Sequence, residues 1–465
     1  MTCADREDAF PNEIDKVAIA MTPLAHDAGS IPALQQAYAN GTLDPVALLE
    51  QCLSRCDAVE PQVQAWEVLD RDACLRQARD SAARLRSGQS LGPLDGIPVA
   101  IKDVIDVAGL PTKAGSRTRE QQAPAAADAD IVSALHAAGA VIMGKVHTTE
   151  FAYFDGPPPT RNPWDTARTP GGSSAGPAAA IAAGMALASI GTQTAGSVVR
   201  PAAYCGIAAF KPSTHTVSTY GVVPFAPSFD TVGWFAHRMD DVAAVARAID
   251  PWRFRPQTAQ SRLRIGIVRD ALLDQAHENV LRNLSQLTEK LREAGHTVED
   301  IASAQGLMRL NERHRTLLEY ETSRVHRALL AAPAGQVTKS LLDTITRGAD
   351  IGAEAYARAR ADIMRAQCEV WKDWGRYDAV IFPAAPAVAP IGMATGDPAF
   401  IVPFTALGGP IATIPTGIGE AGMPLGLMVT AAPGTDGALL QTALRVAEAI
   451  ELDRTVSAPL AQGLV

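Results

Sequence analysis

Several familiar chemistries are missing from this 465-residue sequence. Its six cysteines (Cys3, Cys52, Cys56, Cys74, Cys205 and Cys368) form no CxxC pair, and no secretory leader is read ahead of them, so free thiols and a cytoplasmic location are expected. No apolar run approaches the roughly 18 to 20 residues that a membrane span needs. Lys and Arg number 41 against 50 Asp and Glu, a net charge of −9, and no basic patch invites nucleic acid or anionic lipid. The P-loop pattern GxxxxGK[ST] is absent, and no GxGxxG follows a strand, which argues against nucleotide binding. The nine histidines are dispersed, and His147 with Glu150 in "HTTEF" is not an HExxH motif, so His147 reads as structural or cavity-lining and no metal site is expected. GxSxG is missing around Ser173, Ser174 and Ser197, which removes the support for a serine with a histidine base on a nucleophile elbow.

What is present reads as alternating helices and buried strands. In "LDPVALLEQCLSRC", Asp44 stands where an N-cap belongs, Pro45 at the first helical position, and Val46, Leu49 and Leu53 on one face. A second helix is expected from Asp70 to Gly88. The apolar, β-branched run "GIPVAIKDVID" reads as a buried strand that reaches a lysine, Lys102. A helix near "DADIVSALHAAGA", a strand at "VIMGK", and a strand within 185–206 that runs into a glycine-and-serine turn continue the alternation. Beyond a seam at about 250–264, "NVLRNLSQLTEKLREAGH" reads as an amphipathic helix and "YDAVIFPAAP" as another buried strand, while 306–375 reads as largely helical with its fold-back unspecified. The organisation is therefore read as one domain over 1–465: an N-terminal helical segment at about 30–90, a core at about 91–250, the seam, and a C-terminal half from 265 to 465.

Two glycine-serine turns, "TPGGSSAG" and "TQTAGS", and a lysine at the end of an apolar strand are each unremarkable alone. Together they have a chemical logic. A lysine desolvated by an apolar strand is neutral near pH 7 and can accept a proton from a serine, so no histidine is needed.

These residues resemble the amidase signature family, serine amidohydrolases with a Ser, cis-Ser, Lys triad. The resemblance rests on "GIPVAIKDV" around Lys102, "RNPWDTARTPGGSSAG" leading to Ser173, "GTQTAGSVVRPAAYCGIAAFKPS" around Ser197, "YGVVPFAPSFDTVG", and the closing "FTALGGPIATIPTGIGEAGMPLGLMVTAAPGTDGALL". It implies an α/β fold, a large mixed, twisted β-sheet covered by helices on both faces. It also implies that Ser197 is the acylated nucleophile, that Ser173 bridges it to Lys102, and that Lys102 is the ultimate proton acceptor. The Gly172–Ser173 peptide would be cis, with Gly171 and Gly172 beside the substrate. An oxyanion hole would come from main-chain N–H groups of Thr194, Ala195, Gly196 and Ser197, Ser174 would support the triad by hydrogen bonding, and Gln193 would stand in the layer around it, where it removes a negative charge. No metal and no cofactor are implied.

The sequence departs from the family's commoner "GTDTGGSIR", with Gln193 for the Asp, Ala195 for a Gly, and Arg200 three residues past the serine. The arrangement "GSVVRP" resembles malonamidase-type members, in which the arginine reaches a substrate carboxylate. The alternative for Arg200 is a buried structural ion pair. The implied activity is cleavage of a small-molecule carboxamide to a carboxylate and ammonia or an amine, through an acyl-serine. The expected partner is that amide substrate, with a homodimer allowed and neither nucleic acid nor membrane. The alternative is the glutaminase-type subunit of a tRNA-dependent amidotransferase; against it, "YFDGPPPTRNP" replaces the "TENS"-like segment typical of those subunits.

Overall fold

The computed structural model describes residues 29–256, 261–303 and 306–450. Cys3, residues 257–260 of the seam, and the segments 1–28 and 451–465 lie outside them. Within the described residues one sheet takes in eleven strands: β1 Trp66–Leu69, β2 Pro98–Lys102, β3 Val141–Val146, β4 Ala188–Gln193, β5 Ala208–Lys211, β6 Thr231–Ala236, β7 Arg264–Arg269, β8 Thr297–Ala302, β9 Ala379–Pro383, β10 Ile411–Ile418 and β11 Pro424–Thr430. Their order is β1-β3-β2-β4-β6-β5-β10-β11-β9-β7-β8.

The sheet is mixed. β2 pairs in parallel with β3 and β4, and β7 in parallel with β8 and β9. The remaining ladders are antiparallel. Every residue of β2, β3, β4, β6 and β9 is buried. Because successive side chains point to opposite faces, a strand buried at every position is covered on both. The strands before and after the seam belong to the same sheet, β5 before it being hydrogen-bonded to β10 after it.

Local chemistry places the helices much as the sequence suggests. Asp44 accepts a hydrogen bond from the Val46 N–H and caps the helix Pro45–Val63, and Asp70 does the same through Ala73 for the helix Arg71–Arg86. The strand expected over 96–106 is shorter, Pro98–Lys102. The turn after β4 leads into a helix, Val199–Cys205, that carries Arg200. The run 306–375 folds as three helices, Leu307–Val325, Lys339–Asp350 and Ala353–Trp374, and the first packs against the other two and against the short helix Val402–Ala406. Among the described residues the five cysteines are free, with Cys52, Cys56, Cys74 and Cys205 buried and Cys368 exposed. No helix among them is long and apolar enough to cross a membrane.

Candidate active site

The parallel trio β3-β2-β4 brings the sequence motifs to one place. Lys102 ends β2, fully buried, and its Nζ lies 2.8 Å from Oγ of Ser173 and 2.8 Å from Oγ1 of Thr192, the last residue but one of β4. Burial pushes the Lys102 amine well below the ordinary lysine range, with the charge of Asp230 acting weakly in the other direction. A neutral amine keeps a lone pair, so it can accept from one hydroxyl while donating to the other.

Ser173 precedes the helix Ala175–Ala182, and the Gly172–Ser173 peptide is cis. The two glycines ahead of it have no room for a side chain. Gly171 has φ +79°, and a Cβ there would meet the Pro201 main chain at 3.0 Å; a Cβ on Gly172 would come within 2.6 Å of the Thr395 methyl. Ser174 donates to the Thr192 carbonyl at 3.2 Å and so ties this turn to the strand that carries Thr192.

The loop Thr194–Ser197 is held from outside on both sides. The Thr194 hydroxyl donates to Asp230 at 2.6 Å, and Asp230 also accepts from the N–H groups of Phe225 and Ala226. The Thr194 carbonyl is 2.8 Å from Nε2 of His314, and the Ala195 carbonyl accepts from Thr405 Oγ1 at 2.6 Å. Gln193 donates to the same Thr405 hydroxyl at 2.9 Å, while its carbonyl accepts from Val198 and Val199 at 2.8 and 3.1 Å. The neutral amide thus meets a donor need and an acceptor need at once. It satisfies N–H groups at the start of the Arg200 helix that would otherwise be unpaired. Among the described residues no acceptor is recorded for the N–H groups of Ala195, Gly196 or Ser197, nor any hydrogen bond of the Ser197 hydroxyl. Ser197 retains 6% exposure, and Thr192 and Thr194 beside it 7% each.

Arg200 is fully buried, and its Nη2 donates to the Gly172 carbonyl at 2.6 Å. Its Nε and Nη1 have no hydrogen-bond partner. Burial pulls its pKa down to about 10, against the milder pull of Tyr204 and Asp397. Among the described residues no carboxylate lies within ion-pair distance of it, so the structural ion pair is absent. The His147 side chain pairs with Glu67, its Nδ1 3.1 Å from the carboxylate, while its main-chain carbonyl accepts from the Gly176 N–H at 3.0 Å. Among the described residues no cluster of three or more His, Cys, Asp or Glu could hold a metal.

The structure therefore gathers Lys102, Ser173, Ser174, Gln193, Thr194 and Arg200 as the sequence suggests, and adds Thr192, Asp230, His314 and Thr405. Thr192, Asp230 and Thr405 fall inside stretches that carry the family resemblance, but nothing in their spacing reveals their contacts. His314 falls in the helical run without motifs and left no signal.

A buried lysine and serine pair beside a loop of unpaired N–H groups, on a mixed sheet closed by helices, defines a hydrolase acting on amide bonds. The chain belongs to the Amidase family, whose profile matches residues 47–440. It is 33% identical over 471 residues to a glutamyl-tRNA(Gln) amidotransferase subunit from Chloroflexus aurantiacus, covering 90% of this chain and 96% of that one. Among solved structures it superposes with TM-score 0.82 on an amidase, at 30% identity over 90% of this chain and 98% of the other. It also resembles the peptide amidase of Stenotrophomonas maltophilia, with TM-score 0.78, 29% identity, and coverage of 92% and 98%. These likenesses fix the family and do not single out a malonamidase-type member.

Proposed function

We propose that the chain hydrolyses a small carboxamide through an acyl-serine at Ser197. Neutral Lys102 takes the proton of Ser173 as Ser173 takes that of Ser197, and the freed oxygen attacks the amide carbonyl. The negative charge that develops on the carbonyl oxygen meets the N–H groups of Thr194 to Ser197. The relay reverses to protonate the departing ammonia or amine, and a water then uses the same route to release the carboxylate. The observation that carries this reading is the 2.8 Å approach of the fully buried Lys102 amine to Ser173. In the test, Ser197→Ala abolishes acylation and a fluorophosphonate labels only Ser197. Labelling of a different serine in fully active enzyme sinks the assignment.

Arg200 extends the proposal to the substrate's acyl part. A guanidinium that is buried and that, among the described residues, has neither a carboxylate partner nor a hydrogen bond at two of its nitrogens suits a carboxylate delivered by the substrate. The likeness of "GSVVRP" to malonamidase-type members supports the same choice.

The identity to a glutamyl-tRNA(Gln) amidotransferase component supports a second reading, a glutaminase-type subunit of a tRNA-dependent complex. Ammonia release from small amides by the isolated chain favours the first reading. Release from glutamine alone, and only with added partner subunits, favours the second.

A further inference from the structure

We infer that His314, on the helix Leu307–Val325, is a positioning residue that aims the Thr194–Ala195 peptide of the oxyanion loop; this rests on the acyl-serine reading above. In a trans peptide the C=O of one residue and the N–H of the next point in opposite directions. Whatever fixes the Thr194 carbonyl therefore fixes the Ala195 N–H, one of the groups that receive the developing oxyanion.

The Thr194 carbonyl is held by a single ring, His314, whose Nε2 lies 2.8 Å away. A carbonyl oxygen can only accept, so Nε2 carries the hydrogen. Burial pulls the His314 pKa down to about 4, which leaves the ring neutral at ordinary pH and fixes this tautomer. The ring is 3% exposed and packs on Phe229, with centroids 4.2 Å apart, so its own orientation is held by a neighbour of Asp230. The next carbonyl, of Ala195, is fixed in the same manner by Thr405, and the Thr194 side chain by Asp230. Two successive peptides are thus pinned at their carbonyls, one by His314 and one by Thr405. No acceptor is recorded for the N–H groups of Ala195 and Gly196, which the pinned peptides turn the opposite way.

A helix from the part of the chain without family motifs thereby sets the geometry of the catalytic loop. His314→Phe keeps an aromatic ring against Phe229 and removes the donor. His314→Gln keeps an N–H near the Nε2 position. The measurement is inactivation by a fluorophosphonate, resolved into the binding constant KI and the rate constant kinact across pH, beside the melting temperature.

The expected result for His314→Phe is a fall in kinact on the order of tenfold, as when a donor to developing charge is misaimed. KI and the pH midpoint of kinact stay at their wild-type values, because binding and the Lys102 proton acceptor are untouched, while the melting temperature falls by no more than one lost buried hydrogen bond accounts for. His314→Gln recovers most of the rate. Wild-type kinact in His314→Phe overturns the inference, as does a His314→Gln variant that is folded yet as slow as His314→Phe. Equal losses in both variants with a lowered melting temperature assign His314 to packing alone and overturn it too. Failure of the wild type to be labelled at Ser197 overturns the acyl-serine reading itself, an outcome distinct from all of these.

Discussion

Thr192 Oγ1 lies 2.8 Å from Nζ of Lys102, the same distance as the Ser173 hydroxyl. The amine is fully buried and has these two hydroxyls as its hydrogen-bond partners, so Thr192 controls where the lone pair of Lys102 points. Removing it frees the amine to turn from Ser173.

Thr192→Val keeps the shape of the side chain and deletes that hydroxyl. A net hydrogen bond is worth roughly 0.5 to 1.5 kcal/mol, so kcat should fall about two- to tenfold with KM little changed. Thr192→Ser should restore the rate. Steady-state kinetics on one good amide decide it; unchanged kcat in Thr192→Val would remove Thr192 from the relay.

A second buried lysine gives a prediction about stability. Lys211, at the end of β5, is fully buried, with its Nζ donating to the Pro212 carbonyl at 2.6 Å, and burial pulls its pKa down to about 7 against the charge of Asp436. Its unfolded pKa is about 10.4. Between these values the unfolded chain holds a proton that the folded chain lacks, so this group makes stability rise with pH from about 7 upward. The buried thiols of Cys52, Cys56, Cys74 and Cys205 are raised by burial and work the other way once free thiols begin to ionise, near about 8.5. The useful window is therefore about pH 7 to 8.5. There the melting temperature of the wild type should climb more steeply than that of Lys211→Met. Parallel curves would mean that Lys211 stays protonated in the fold.

The fold and half of the site were legible because their signals are local. An aspartate before a proline starts a helix wherever it occurs, as Asp44 does, and an apolar β-branched run such as "IPVAI" reads as a buried strand without knowing its neighbours. The strand-end lysine and the two glycine-serine turns are visible in the sequence, and the family resemblance is what assigns Lys102, Ser173 and Ser197 to one proton path; the structure brings Lys102 and Ser173 into contact. The contacts of Thr192, Asp230, His314 and Thr405 depend on the strand order and on a helix about 120 residues away from the loop it holds, since His314 and Thr194 are 120 positions apart. No periodicity encodes that meeting. Arg200 shows the same limit: its motif is visible, but only the three-dimensional structure reveals that, among the described residues, no carboxylate forms an ion pair with it.

If the substrate's carboxylate completes the shell of Arg200, Arg200→Ala should discriminate between substrates. Loss of the Gly172 contact harms every amide, so the informative quantity is the ratio of kcat/KM for a carboxylate-bearing amide to that for its neutral analogue. Removing a charged hydrogen-bond partner costs roughly 1.5 to 3 kcal/mol, so that ratio should drop about ten- to a hundredfold. An unchanged ratio with a lower melting temperature would assign Arg200 to holding the Gly172 turn alone.

The relay itself is tested by pH and by non-additivity. The folded environment opposes the charge on Lys102, so the base form appears at a lower pH than in a free lysine. The sign follows directly: kcat/KM rises with pH, and its limb lies below the ordinary lysine value of about 10.4. Lys102→Ala should erase that limb and leave a slow, flat profile. Ser173→Ala should also be slow, because it deletes the hydroxyl 2.8 Å from the Lys102 amine through which the proposed relay passes. If the proton passes through both groups as proposed, the double variant should be little slower than the worse single one. The measurement is kcat/KM across pH for the wild type, the two single variants and the double. Strictly multiplicative losses would show that Lys102 and Ser173 act separately. An alkaline limb that survives in Lys102→Ala would show that another group takes the proton.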